Sequence, residues 1–130
     1  KFEYSNLQIN PKEINNGGEV EVTADVKNTG SLMGDEIAQL YISDEISSTS
    51  RPAKELKGYE RISLNPGETK SVKFKLLPED LALFNRDMRF VVEPGKFSVM
   101  VGASSKDIRL KGEFEVKQYL PSQVLRSMSR

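Results

Sequence analysis

Three pairs of adjacent carboxylates, Asp35-Glu36, Asp44-Glu45 and Glu79-Asp80, are the residues here whose types suit acid–base chemistry. Hydrolysis by two carboxyl groups needs them across a cleft, about 5 to 9.5 Å apart. Neighbours on a strand point to opposite faces, so the first two pairs cannot act together when extended. The third follows Pro78, a residue suited to the first position of a helix, and its charges match the positive end of the helix dipole. The chain has neither histidine nor cysteine. That removes the usual general base, the Ser-His and Cys-His nucleophile pairs, thiolate metal sites and disulfides. Asp44-Glu-Ile-Ser-Ser-Thr-Ser50 gathers oxygen atoms, but without the acidic spacing of a calcium loop, and a plain loop is the expectation. Val101-Gly-Ala-Ser-Ser105 has one glycine and precedes a strand, which does not make a phosphate cradle. No catalytic residue, metal ligand or cofactor is therefore assigned.

The 130 residues are one domain's worth of chain, long enough to bury an independent core. Nineteen basic residues balance nineteen acidic ones and are interspersed with them. Such a surface argues against nucleic acid or an anionic membrane as partner. No apolar run approaches the roughly 18 residues that span a bilayer, and no secretory apolar segment stands at the start. The opening Lys-Phe-Glu-Tyr, without a Met, reads as a piece of a larger polypeptide. A cytoplasmic setting fits the absence of cysteine, and a secreted one is compatible with it.

Period-two alternation dominates the body of the chain. Val20, Val22, Ala24 and Val26 alternate with Glu19, Glu21, Thr23 and Asp25, the pattern of a half-buried strand. Val72, Phe74 and Leu76 repeat it, as do Phe97, Val99 and Val101. Ile108, Leu110, Phe114 and Val116 share one parity, with Gly112 between them as a bulge or thin spot. Ile37-Ala-Gln-Leu-Tyr-Ile42 is apolar at nearly every position, as expected of a strand covered on both faces or held against something outside the domain. Asn15-Asn-Gly-Gly18 reads as a turn, and Asn65-Pro-Gly-Glu68 and Glu93-Pro-Gly-Lys96 as type II turns. Pro78–Phe84 is the helical candidate of the body, two turns at most. About seven strands with one short helix predict an all-β, immunoglobulin-like antiparallel sandwich. With no Trp and no Cys pair, the fibronectin type III class remains. The sandwich is expected over residues 1–116. Residues 117–130 form a tail, where Ser122 can cap a short helix carrying Val124, Leu125 and Met128.

Arg51-Pro-Ala-Lys-Glu-Leu-Lys-Gly-Tyr-Glu-Arg-Ile62 is the most distinctive stretch. Pro52, Leu56 and Tyr59 form an apolar ridge through the charges of Arg51, Lys54, Glu55, Lys57, Glu60 and Arg61. An Arg, an aromatic and aliphatics within a charged rim have the anatomy of a protein–protein patch. Composition alone leaves a solvated connector equally open. Tyr41 and Tyr59 are also the aromatics available for stacking on a sugar, although the preferred Trp platform is missing and packing is the commoner use.

Several segments in order resemble the C-terminal fibronectin type III-like domain of family 3 glycoside hydrolases, the β-glucosidases and β-xylosidases. They are Gly34-Asp-Glu-Ile-Ala-Gln-Leu-Tyr-Ile-Ser-Asp44, the stretch from Arg51 through Gly58, Tyr59 and Arg61, Leu64–Lys70, Pro78–Phe84 and Val92–Gly102. The resemblance covers Phe2 to about Val116. Two departures stand out. Leu77 holds a position where the family often has a helix-capping Thr. Phe97 stands where many such domains carry the tyrosine-corner hydroxyl. The resemblance implies an accessory, non-catalytic domain whose partner is the catalytic part of the same polypeptide. It implies docking through the Arg51–Arg61 side, with Tyr41, Arg51, Pro52, Lys54, Leu56 and Tyr59 as candidate interface residues. Excised, such a domain is expected to self-associate through that patch. An independent carbohydrate-binding module with weak sugar contact, or an adhesion or scaffolding sandwich, are the alternatives.

Overall fold

The computed structural model describes residues 1–15, 18–45, 54–81, 83–84, 90–91 and 94–117. A sheet of three strands, β1 (Phe2–Asn10), β3 (Val20–Asn28) and β6 (Thr69–Leu76), runs in the order β1-β3-β6. It faces a sheet of five, ordered β2-β10-β9-β4-β5. These are β2 (Glu13–Asn15), β4 (Gly34–Asp44), β5 (Glu55–Leu64), β9 (Gly95–Ser104) and β10 (Asp107–Lys117). All pairings within the two sheets are antiparallel except β2 with β10. The one-turn helix α1 (Pro78–Leu81) and a two-residue pair, β7 (Leu83–Phe84) with β8 (Phe90–Val91), complete the described elements.

The architecture is the all-β sandwich that alternation predicts. Val20, Val22, Ala24 and Val26 face Val72, Phe74 and Leu76 within one sheet, and Phe97, Val99 and Val101 lie in the other, all in one buried cluster. Phe97 and Phe114 stack with ring centroids 5.3 Å apart. Eight strands lie in the two sheets where about seven were expected. The shortest, β2, has three residues, too few to show alternation. Asn65–Glu68 is the predicted turn: Glu68 N–H donates to the Asn65 carbonyl at 2.9 Å, and Gly67 takes φ 80°.

Three details sharpen or correct the expectations. Gly112 is a thin spot and not a bulge, because a Cβ there would stand 2.7 Å from Ile9 Cδ1, whose side chain packs over it. The register of β10 against β9 instead shifts between Asp107 and Leu110. Ile108 pairs with Gly102, of opposite parity to Val99 and Val101, and is not among the residues packed on the core. The helix is one turn long. Leu77 offers no capping side chain, yet Asp80 Oδ2 accepts the Leu77 backbone N–H at 2.8 Å, the returning half of a capping box. Lys117 belongs to β10. Residues 118–130, with the expected tail helix, lie outside the described residues.

Candidate functional site

Ala38, Leu40 and Ile42 of β4 point into the core, which turns Ile37, Gln39 and Tyr41 onto the outer face of the five-stranded sheet. Cross-strand pairing builds that face: Arg61 beside Ile37, Tyr59 beside Gln39, and Leu56 beside Tyr41, with Met100 on Tyr41's other flank. Leu56 and Tyr59 are three apart and would face opposite ways on a regular strand. A register shift between Leu40 and Tyr41 places them together, with Lys57 as the additional residue. Ile37 is 44 %, Leu56 49 % and Tyr59 71 % exposed. Tyr41 and Met100 are buried on this face but stand apart from the main core cluster.

Of the two expectations for Ile37–Ile42, cover on both faces within the domain holds only in part. Its inner face is core, while its outer face is closed at Tyr41 and open at Ile37. Lys54 reaches the Ser105 carbonyl at 2.6 Å, which anchors the start of β5. Arg51 and Pro52 lie outside the described residues. Sequence reasoning passed over Ile37 as part of this patch, and over Leu32 and Met33, the adjacent large apolar pair inside Gly30–Gly34. That pairing was the available signal.

The carboxylates behave as strand geometry requires. Asp35, on the outer face, accepts from Ser63 Oγ at 2.6 Å and Arg61 Nη2 at 2.8 Å; these bonds hold its carboxyl below the ordinary range. Glu36, on the inner side, accepts the Tyr4 hydroxyl at 2.8 Å. Burial, and then that carboxylate, push the Tyr4 phenol well above its usual value. Arg109 lies over the Tyr4 ring, 5.4 Å from its centroid, and donates to the Phe2 carbonyl at 2.9 Å. It also holds Asp107 in a two-point contact that keeps that carboxyl low. Each of these carboxylates thus has its own partner, and none faces another across a cleft.

An open groove of about 920 Å³ runs between β1 and β10, lined in part by Leu7, Ile9, Gly112 and Phe114. Its carboxylates are occupied by lysines: Glu113 with Lys96 at 3.6 Å, and Glu13 and Glu115 with Lys117 at 3.9 and 4.0 Å. Among the described residues, no group of three or more His, Cys, Asp or Glu side chains is placed to hold a metal ion. No helix among them is long and apolar enough to cross a membrane.

The model of the fibronectin type III-like domain matches residues 36–105, which include most of β4 and all of β5, β6 and β9. The chain belongs to the fibronectin type III-like family. This fibronectin type III-like domain is 45 % identical over 117 residues to a putative beta-xylosidase of Formosa agariphila. That match covers 90 % of the domain and 15 % of the relative. It is 48 % identical over 118 residues to beta-glucosidase BoGH3A of Bacteroides ovatus, covering 90 % and 16 %. The beta-glucosidase of Listeria innocua in complex with glucose contains a similar structure, with TM-score 0.85 and 39 % identity. There the match covers 92 % of the domain and 16 % of the solved chain. The domain thus spans about one sixth of the length of these relatives.

Proposed function

We propose that this chain is the accessory, non-catalytic domain of a longer family 3 glycoside hydrolase of β-glucosidase or β-xylosidase type. Its outer sheet face packs on the catalytic part of that polypeptide. The observation that carries the reading is the row of Ile37, Leu56 and Tyr59, three large apolar side chains exposed on one sheet face. A solvated face of an antiparallel sheet is ordinarily polar, and clustered apolar exposure marks a contact surface. The similarity to a sixth of much longer hydrolases supplies the partner. Chemistry is assigned to the rest of the polypeptide, since Asp35 and Glu36 are engaged by hydroxyl and arginine donors, Glu45 accepts from Ser98 Oγ, and Asp80 accepts the Leu77 N–H at the start of α1. Tyr59 alone is a poor sugar platform: Tyr41 is buried, its hydroxyl is bonded to Gln39, and the chain has no Trp.

The test compares Leu56→Ala with Tyr59→Ala, made together, in the full-length polypeptide and in this chain alone. The full-length protein is expected to melt at a lower temperature, while the chain alone changes much less. The chain alone is also expected to leave an aryl β-glucoside uncleaved. Equal destabilisation of both would place these side chains in the sandwich's own energetics and remove the contact surface. Turnover by the chain alone, abolished by changing one of its carboxylates, would overturn the non-catalytic assignment.

A further inference from the structure

The turn between β3 and β4 displays Leu32 at 80 % and Met33 at 66 % exposure, in a position that normally favours small polar residues. Its backbone is held firmly. Asn28, almost wholly buried, donates from Nδ2 to the carbonyls of Leu32 and Leu64, both at 2.9 Å, and accepts the Gly30 N–H on Oδ1 at 2.8 Å. The Asn28 main chain bonds Glu68 and Gly67 of the neighbouring turn at 3.0 and 2.8 Å. Thr29 N–H donates to the Lys1 carbonyl at 2.9 Å, so the first residue is tied to the same turn. A hollow of about 290 Å³ lies between Lys1 and Phe2 on one side and Leu32 and Met33 on the other.

We infer that Leu32 and Met33 form a second docking element, an apolar knob that inserts into the part of the same polypeptide leading into Lys1. This rests on the accessory-domain reading above. Three features select that occupant over a second copy or an unrelated partner. The backbone of the knob is fixed before binding, so little loop freedom remains to be lost on contact. It adjoins Lys1, and a tethered segment meets it at an effective concentration that a free partner rarely reaches. The relatives carry about five sixths of their length outside the matched stretch, which leaves ample chain to cover it. The recess that receives the knob is apolar, because Leu and Met offer no hydrogen bonds of value and bury well against aliphatic and aromatic side chains.

The experiment is peroxide and hydroxyl-radical footprinting of unmutated protein, in this chain alone and in the full-length polypeptide, read by mass spectrometry. In the chain alone Met33 is expected to oxidise much faster than the buried Met100. In the full-length protein the Met33 rate is expected to drop several-fold, towards that of Met100, and Leu32 labelling to fall with it. Tyr59 labelling reports separately on the sheet face. Protection of Tyr59 with Met33 still reactive would overturn the knob and leave the accessory-domain reading standing. Protection of Met33 with Tyr59 reactive would keep the knob and remove the sheet-face contact. Reactivity of both would overturn both. Protection of Met33 in the chain alone that rises with its concentration would make the occupant a second copy and overturn the inference.

Discussion

Removing the Asn28 side chain measures how firmly the two turns at this end are joined. Asn28→Ala deletes three hydrogen bonds, each worth about 1 kcal/mol net, and strands the Leu64 carbonyl in a buried setting and the Leu32 carbonyl in a half-buried one. The expected loss is roughly 3 to 4 kcal/mol, within the 5 to 15 kcal/mol typical of a domain. The variant should therefore still fold. In urea, with a slope of about 2 kcal/mol per molar, the midpoint falls by about 2 M and the slope stays constant. Asn28→Asp sharpens the test. The introduced carboxylate keeps its shape but cannot donate, and it faces the Leu32 and Leu64 carbonyl oxygens. Burial against two acceptors raises its folded-state pKa above the unfolded value of about 4. A group shifted upward contributes stability below its unfolded pKa and loses it as pH rises through the folded one. The deficit relative to the unmutated chain should thus be largest near neutrality and narrow on acidification. A cost for Asn28→Ala below about 0.5 kcal/mol, the scale of a surface change, would refute the clamp. So would an Asn28→Asp deficit that widens in acid.

Phe74→Ala should cost roughly 3 to 5 kcal/mol, while Lys73→Ala, whose exposed amine lies 3.7 Å from Glu21, stays within about 0.5 kcal/mol. Comparable costs in chemical denaturation would mean that β6 is misassigned by one residue. Asp35, whose carboxyl is held low by Ser63 and Arg61, contributes stability above its unfolded pKa that disappears as pH falls through the depressed value. Asp35→Asn should therefore flatten the acid limb of the stability–pH curve below about pH 4. An unchanged limb in melting curves would show the pair to be worth nothing.

Much of this fold was legible because a half-buried strand announces itself: Val20 through Val26 cannot place their apolar side chains together in any other regular conformation. Pro66 and Gly67 marked their turn for an equally local reason. What escaped was set by partners distant in sequence. Asn28 looks like an ordinary polar residue at a strand end, and its importance comes from Leu64, thirty-six residues on. The shift at Leu40–Tyr41 has no local signature, since Lys57 is neither Gly nor Asn, so the common facing of Leu56 and Tyr59 follows only from the pairing. Ile108 was misplaced for the same reason. The candidate surface was half legible: its composition stood out, while the closure of Tyr41 and the exposure of Ile37 depend on which neighbours flank each strand.

β5 is the outermost strand of its sheet and carries an apolar side, a combination that invites fibril-like growth by strand addition from other molecules. The irregularity at Lys57 works against that outcome. It bends the ribbon and increases its twist, so an incoming strand cannot follow a straight row of free amides and carbonyls. A chain lacking Lys57 would keep Leu56 beside Tyr41 but pair without interruption, leaving an even, flat border. Such a deletion should shorten the lag before thioflavin-positive aggregates form, even if the melting temperature is untouched. The extra residue would thus guard solubility while the contact proposed for the outer face is still unmade.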